Sequence, residues 1–246
     1  MLFWMVPIIF IIIVLGALSL IRLGVSRDTT KEGANDRDSV WAYDSVSRSP
    51  LFGFIRYRVL RKLKKYRPEG TLLDAGCGPG YLDRAIALEY PQLKIIGLDV
   101  SKEMLDLATS QASSTKINPR ISYQEGDIQK IPFKNNSMDF VVSTLSMHHL
   151  VRPEEALGEI FRVLKPKGQL FVFDLRRDMP ETLFYLIRFV QRFFAPNPIR
   201  LTNGGEGSVL SSFTPLEMKT LLSQSPFPVW TIQKGWGWYY VWSRKE

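Results

Sequence analysis

Two hydrophobic rhythms alternate along most of the chain. From position 72 onward, short apolar runs are separated by stretches whose apolar residues recur every three to four positions. The runs at 72–74, 94–100, 120–124, 138–144 and 169–175 have the length and composition of buried strands, and 81–88, 101–112 and 154–164 read as one-faced helices. Ser101 stands where a side chain caps the second of these helices, and Pro166 with Gly168 stops the third. Strands separated by helices predict parallel pairing, with ligand chemistry gathered at the strand C-termini.

Both ends depart from this rhythm. Residues 2–21 carry no charged side chain, and about 20 apolar residues suffice to cross a bilayer core as a helix. Arg22, Arg27 and Lys31 follow directly and no Lys or Arg precedes, so the stretch reads as an uncleaved transmembrane anchor whose C-terminal side stays cytoplasmic. Residues 28–38 are polar and mixed in charge, which gives an anchor at 1–23, a flexible tether at 24–39 and a folded domain at 40–246. Within 40–63, Trp41, Tyr43, Phe52, Phe54 and Tyr57 lie among arginines and predict one or two helices. Residues 178–213 interrupt the alternation. Their apolar middle, 183–194, reads either as a helix covering the active site or as a surface helix dipping into a bilayer; 203–207 reads as a turn. Thr214 caps a helix to 222, and 229–234 with 236–243 are strands around Gly235.

The stretch at 72–82, Leu-Leu-Asp-Ala-Gly-Cys-Gly-Pro-Gly-Tyr-Leu, carries the chemistry. Gly76, Gly78 and Gly80 make a turn without Cβ atoms between a strand and a helix whose first N–H groups are unsatisfied. A dinucleotide fingerprint needs glycine at the sixth loop position, where this chain has Tyr81. The turn suits instead a ligand with an amino-acid end, for which Asp74 offers a carboxylate. Asp99 ends the second strand, where an acid accepts hydrogen bonds from ribose hydroxyls. Asp127 follows the third. Each alone reads equally as a turn residue; together they fall at the ends of three successive strands.

These residues resemble the class I S-adenosylmethionine (SAM)-dependent methyltransferases, and the run from Glu159, Glu-Ile-Phe-Arg-Val-Leu-Lys-Pro-Lys-Gly-Gln-Leu, resembles their ubiquinone/menaquinone-biosynthesis-like (methyltransferase type 11) branch. The resemblance implies a Rossmann-like seven-stranded, mostly parallel sheet with helices on both faces, the last strand antiparallel. It implies SAM as cofactor, with Asp127 on the adenine amine, Ile128 against the ring, and contacts from Tyr43, Asp74, Ala75, Gly76, Cys77, Gly78, Gly80, Asp99, Val100, Met104 and Ser143. Tyr43 belongs to a Trp-Ala-Tyr-Asp segment similar to the branch's entry helix, though core packing accounts for an aromatic there as well. His148 and His149, the only histidines, follow the fourth strand and are the candidates for orienting or deprotonating an acceptor. Ser143-Thr-Leu-Ser replaces the Asn/Asp-Pro-Pro-aromatic motif of enzymes that methylate amide or adenine nitrogens.

Composition narrows the partners. The net charge of +8 is concentrated at positions 48–67, a face suited to nucleic acid or an anionic membrane. The single cysteine, Cys77, excludes an internal disulfide, and no cluster of metal-ligand residues occurs. The leading expectation is methyl transfer to a small lipophilic acceptor at a membrane surface. A SAM-fold scaffold without catalysis and an RNA methyltransferase using the 48–67 segment are the alternatives.

Overall fold

The computed structural model describes residues 20–28, 37–113, 118–195, 197, 200 and 204–246. Two helices come first, α1 (Arg37–Ser47) and α2 (Pro50–Tyr66). Ser49 caps α2 by accepting the Phe52 N–H, and Pro50 fits the first turn, where its missing N–H costs nothing. Then β1 (Thr71–Ala75), α3 (Tyr81–Glu89), β2 (Lys94–Asp99), α4 (Lys102–Ser113), β3 (Ile121–Glu125), β4 (Met138–Thr144), α5 (Pro153–Val163) and β5 (Leu164–Leu175) alternate as the hydrophobic pattern requires. The chain ends with α6 (Glu181–Phe194), α7 (Gly204–Ser211), α8 (Pro215–Gln224), β6 (Val229–Lys234) and β7 (Trp238–Arg244).

The strands form one sheet of order β3-β2-β1-β4-β5-β7-β6. The first five are parallel, and β7 runs antiparallel to both β5 and β6. Two-residue alternation divides each strand between two cores. Leu72, Phe140, Val142, Phe171, Phe173 and Tyr240 pack with Val59 and Leu63 of α2 and Ile86 of α3. Leu73, Val141, Leu170, Val172, Tyr239 and Val241 pack with Leu157 and Ile160 of α5 and Met218 and Leu222 of α8. Because β2 leaves β1 on one side and β4 lies on the other, the sheet has its switch point at β1, and the crevice beside the end of β1 is where an open α/β sheet binds ligands.

Two expectations change. Strand β5 begins at Leu164, five residues before the expected start, because Leu164 pairs with Met138 and the chain ahead of Gly168 is held by Lys167 N–H to Lys245 O at 2.8 Å. Pro166 and Gly168 therefore lie within the strand, beside a register shift. The segment around 203–207, read as a turn, is helical from Gly204 onward, with Glu206 N–H donating to Gln191 Oε1 at 2.8 Å. Among the described residues no helix is long and apolar enough to cross a membrane. The expected anchor lies, apart from its last residues, outside the described residues.

Of the segment expected as a tether, 24–28 runs along the domain and α1 begins at Arg37. Leu23 N–H donates to Met179 O and Asp28 N–H to Leu210 O, both at 3.1 Å. Arg27 stacks over Phe213 and donates to the carbonyls of Ser211, His148 and Leu150. Buried Leu23 packs with Met179, Phe184 and Val209.

Candidate functional site

The turn leaving β1 is tied to the end of β2. Gly76, Gly78 and Gly80 have φ of 82°, 52° and 70°, the left-handed region that only glycine enters freely. Gly76 and Cys77 both donate their N–H to Leu98 O, at 2.8 and 3.0 Å, and Gly78 N–H donates to Asp99 Oδ2 at 2.8 Å. The other Asp99 oxygen accepts the Ser101 N–H at 3.0 Å. Burial raises the Asp99 pKa, and these backbone donors counteract it.

Glycine at 76 also makes room. A Cβ there would collide with Ser146 Oγ and meet Ile128 Cδ1 at 3.4 Å, and a Cβ on Gly78 would stand 3.8 Å from the Tyr43 ring. Tyr43 from α1, Asp99 from β2, Ile128 from beyond β3 and Ser146 from beyond β4 thus converge on one turn. Ser146 was not among the sequence candidates; its position two residues past β4, in the loop to the histidines, is the only sequence signal for it.

Beneath the turn lies a buried acid pair. Asp74 and Asp83 are 1% and 0% exposed, and Asp74 Oδ1 and both Asp83 oxygens lack a conventional hydrogen-bond partner among the described residues. Burial, then the neighbouring Asp83, holds the Asp74 pKa well above the carboxylate range. Asp83 is pushed up to about 7, again chiefly by burial. Two adjoining carboxyls out of water cannot both be charged cheaply, so the pair holds a proton. The Tyr123 ring closes the space over Gly97, with its hydroxyl against Gly80. The sequence signal for Asp83 is an acid on the apolar stripe of a helix, in line with Ile86 and Ala87.

The remaining candidates are distributed unevenly. Ala75 is buried among core residues, Met104 is buried and donates its N–H to the Ser101 cap, and Ser143 is fully buried. Val100 is 61% exposed. Asp127 is half-buried beside Ile128, and its Oδ1 accepts the Gln129 N–H at 2.8 Å. Cys77 is a buried free thiol whose pKa burial drives well above normal, the opposite of an activated nucleophile.

The two histidines differ. His148 is buried, and its Nδ1 lies 2.6 Å from Asp174 Oδ1 while its own N–H donates to Asp174 Oδ2 at 3.1 Å. Nδ1–H donation to the carboxylate leaves Nε2 as the acceptor nitrogen, and that atom is buried without a partner among the described residues. His149 keeps an exposed surface, with its ring centroid 4.0 Å from that of His148; its surroundings and that neighbour lower its pKa. Among the described residues no group of side chains could hold a metal ion.

Residues 73–172 match the family described as a methyltransferase domain. They form a SAM-dependent methyltransferase domain. The match spans the sheet from β1 to β5, including the glycine turn, all three strand-end acids and both histidines. The ubiquinone/menaquinone biosynthesis C-methyltransferase of Geotalea daltonii is 32% identical over 155 residues, 62% of this chain and 64% of that protein. The chain spans less than two thirds of the length of the curated relatives it first matches. In fold, the methyltransferase domain is similar to the SAM-dependent methyltransferase of Aquifex aeolicus, at TM-score 0.58 and 20% identity over 76% of this chain and 88% of that one. It is also similar to the plantazolicin methyltransferase BpumL, solved with S-adenosylhomocysteine, at TM-score 0.69 and 16% identity over 86% of this chain and 91% of that one.

Proposed function

We propose that the whole chain transfers the methyl group of SAM to a small lipophilic acceptor, of quinone-precursor or lipid type, at a membrane surface. The observation that carries this reading is the convergence of Ser146, Ile128, Tyr43 and Asp99 on the glycine turn after β1. In this assignment Asp74 faces the amino-acid end of SAM, Asp99 the ribose hydroxyls and Asp127 the adenine amine, with Ile128 against the ring and Tyr43 closing the turn. Ala75, Cys77, Gly78, Gly80, Val100, Met104 and Ser143 complete the proposed contacts.

The residues fit such a ligand. The buried Asp74–Asp83 pair shares a proton that the ammonium group of SAM would displace on binding, and the turn is narrow enough to need glycine. SAM, when bound, supplies a methyl group already activated on a sulfonium, so most of the protein's task is alignment of an acceptor. Where that acceptor must lose a proton, His148 Nε2 is the proposed receiver, with Asp174 holding the ring and stabilising the imidazolium. His149 packs against that ring as the second proposed contributor.

The lipophilic acceptor is supported by the quinone-pathway relative and by the uncharged stretch at 2–21. An RNA acceptor has less support. Much of the basic stretch on α2 is engaged with the domain's own residues: Arg56 donates to Ser47 O, Arg58 lies over Trp238, and at the surface Lys62 bonds Gln233 and Lys64 pairs with Glu89 at 2.6 Å. Such cations release few counterions on binding a phosphate backbone.

The test joins cofactor and acceptor. Calorimetry should show SAM binding to the full chain, weakened roughly 10- to 100-fold by Asp99→Ala, the scale of one or two charge-assisted hydrogen bonds. Labelled SAM with a membrane lipid extract should yield a labelled lipophilic product. Absence of SAM binding would leave only a scaffold, and label recovered in RNA instead would overturn the acceptor.

A further inference from the structure

Helix α6 (Glu181–Phe194) presents three kinds of surface. Phe184 and Gln191 are buried on one side, where Phe184 packs with Leu23, Met179 and Val209. At 100° per residue, Arg188 and Arg192 fall along one edge of that buried stripe. The rest of the circumference, Tyr185, Leu186, Phe189, Val190, Phe193 and Phe194, is apolar and exposed, reaching 74% at Phe194. Phe189 and Phe193 pack against each other with tilted rings, centroids 4.8 Å apart, on the outside of the protein. Solvent-facing helices carry polar residues here, so an apolar face of this extent marks a docking surface.

The chain itself indicates the occupant. Ile21 O accepts the Glu181 N–H at 3.1 Å, and Arg22 forms an antiparallel bridge with Pro180. Leu20 and Ile21, 75% and 49% exposed, therefore lie at the first turn of α6. The uncharged residues 2–19 are covalently joined to that point. Glu181 is the only acid of the helix; exposed Arg188, which stands 3.5 Å from Glu206 of α7, and Arg192 line one edge of the apolar face, and Arg22 lies at its first turn. An apolar sector rimmed by arginine matches the acyl boundary beneath anionic headgroups, where the guanidinium groups reach phosphates and the rings reach hydrocarbon.

We propose that α6 lies in the interface of an anionic lipid bilayer, with its aromatic face on the acyl side and Arg188 and Arg192 at the phosphates. This deepens the membrane-surface reading above and rests on it. Helix α7 packs between α6 and the turn Met147–His149, and Arg27 bridges Ser211 O and His148 O. The lipid-facing helix is thus one layer away from the proposed proton receiver, which gives a lipophilic acceptor a short path out of the bilayer.

The test uses the full chain and two exposed positions, Val190→Cys on α6 and Ser110→Cys on α4, each carrying an environment-sensitive fluorophore; Cys77 is buried. Retained SAM affinity reports that both variants fold. In vesicles with about one-third anionic lipid and a nitroxide near the headgroups, the label at 190 should be quenched at least about twofold more than the label at 110 and shift to the blue. Co-flotation with equal quenching at both positions overturns the α6 inference and leaves the membrane-surface reading standing. Failure to float overturns both. A blue-shifted label at 190 without vesicles overturns the inference by showing the face already covered, by a second copy if the protein is dimeric in light scattering and by its own residues 1–19 if monomeric.

Discussion

His148 Nδ1 and Asp174 Oδ1 stand 2.6 Å apart, both residues buried, at the ends of adjacent strands β4 and β5. Asp174 also accepts the backbone N–H groups of His148 and Leu175. One carboxylate therefore fixes the loop after β4 and the tautomer of its histidine. Asp174→Asn should lower stability by about 3 kcal/mol, the scale of breaking a buried hydrogen-bonded pair. Urea unfolding measures this. The variant should also lose turnover while keeping SAM affinity, since none of the proposed SAM contacts touches Asp174.

Gly76 is intolerant of a side chain for two separable reasons. Gly76→Ala drives a Cβ into Ser146 Oγ and holds alanine at φ 82°, which should weaken SAM at least about 100-fold and cost roughly 1–3 kcal/mol of stability. Adding Ser146→Gly removes the collision and leaves the backbone strain. The double variant should recover at least about 0.5 kcal/mol over the sum of the singles in a double-mutant cycle; strict additivity would separate the two residues.

The acid pair gives stability a pH dependence of definite sign. Asp83 titrates at about 7 in the folded chain against an ordinary value of 3.8, so between these values the native state holds more protons than the unfolded chain. Stability therefore falls as pH rises through that window, and Asp74, whose pKa burial also raises, adds to the fall. Asp83→Asn should flatten the profile by up to about 1.4 kcal/mol per pH unit in urea titrations from about pH 5 to about pH 8. A variant as pH-sensitive as the parent would place the titration in another group.

Arg27 fastens the N-terminal segment over the loop after β4. Arg27→Ala removes its donors to Ser211, His148 and Leu150 and its stacking on Phe213, and should cost about 1–2 kcal/mol. Hydrogen exchange should accelerate in peptides covering 147–150 and 209–213, while the β1–β2 region keeps its protection.

Sequence alone determined the repeating strand-helix order, the glycine turn and the three strand-end acids, because each rests on local signals: two- and 3.6-residue periodicity, conformations that admit only glycine, and acids at predicted strand ends. The Thr214 cap was equally legible and forms a reciprocal capping box with Glu217. Strand β5 was shortened in that reading because proline and glycine act locally as stops, and only pairing with Met138 and Lys245 overrides them. Tertiary structure decided the rest. Ser146 and Asp174 matter through partners 70 and 26 positions away, Asp83 gains proton affinity chiefly because the fold buries it, and residues 20–28 are held against α6 and α7 through contacts more than 100 positions distant. Periodicity records which face of an element is apolar; which faces meet is settled when the whole chain excludes water together.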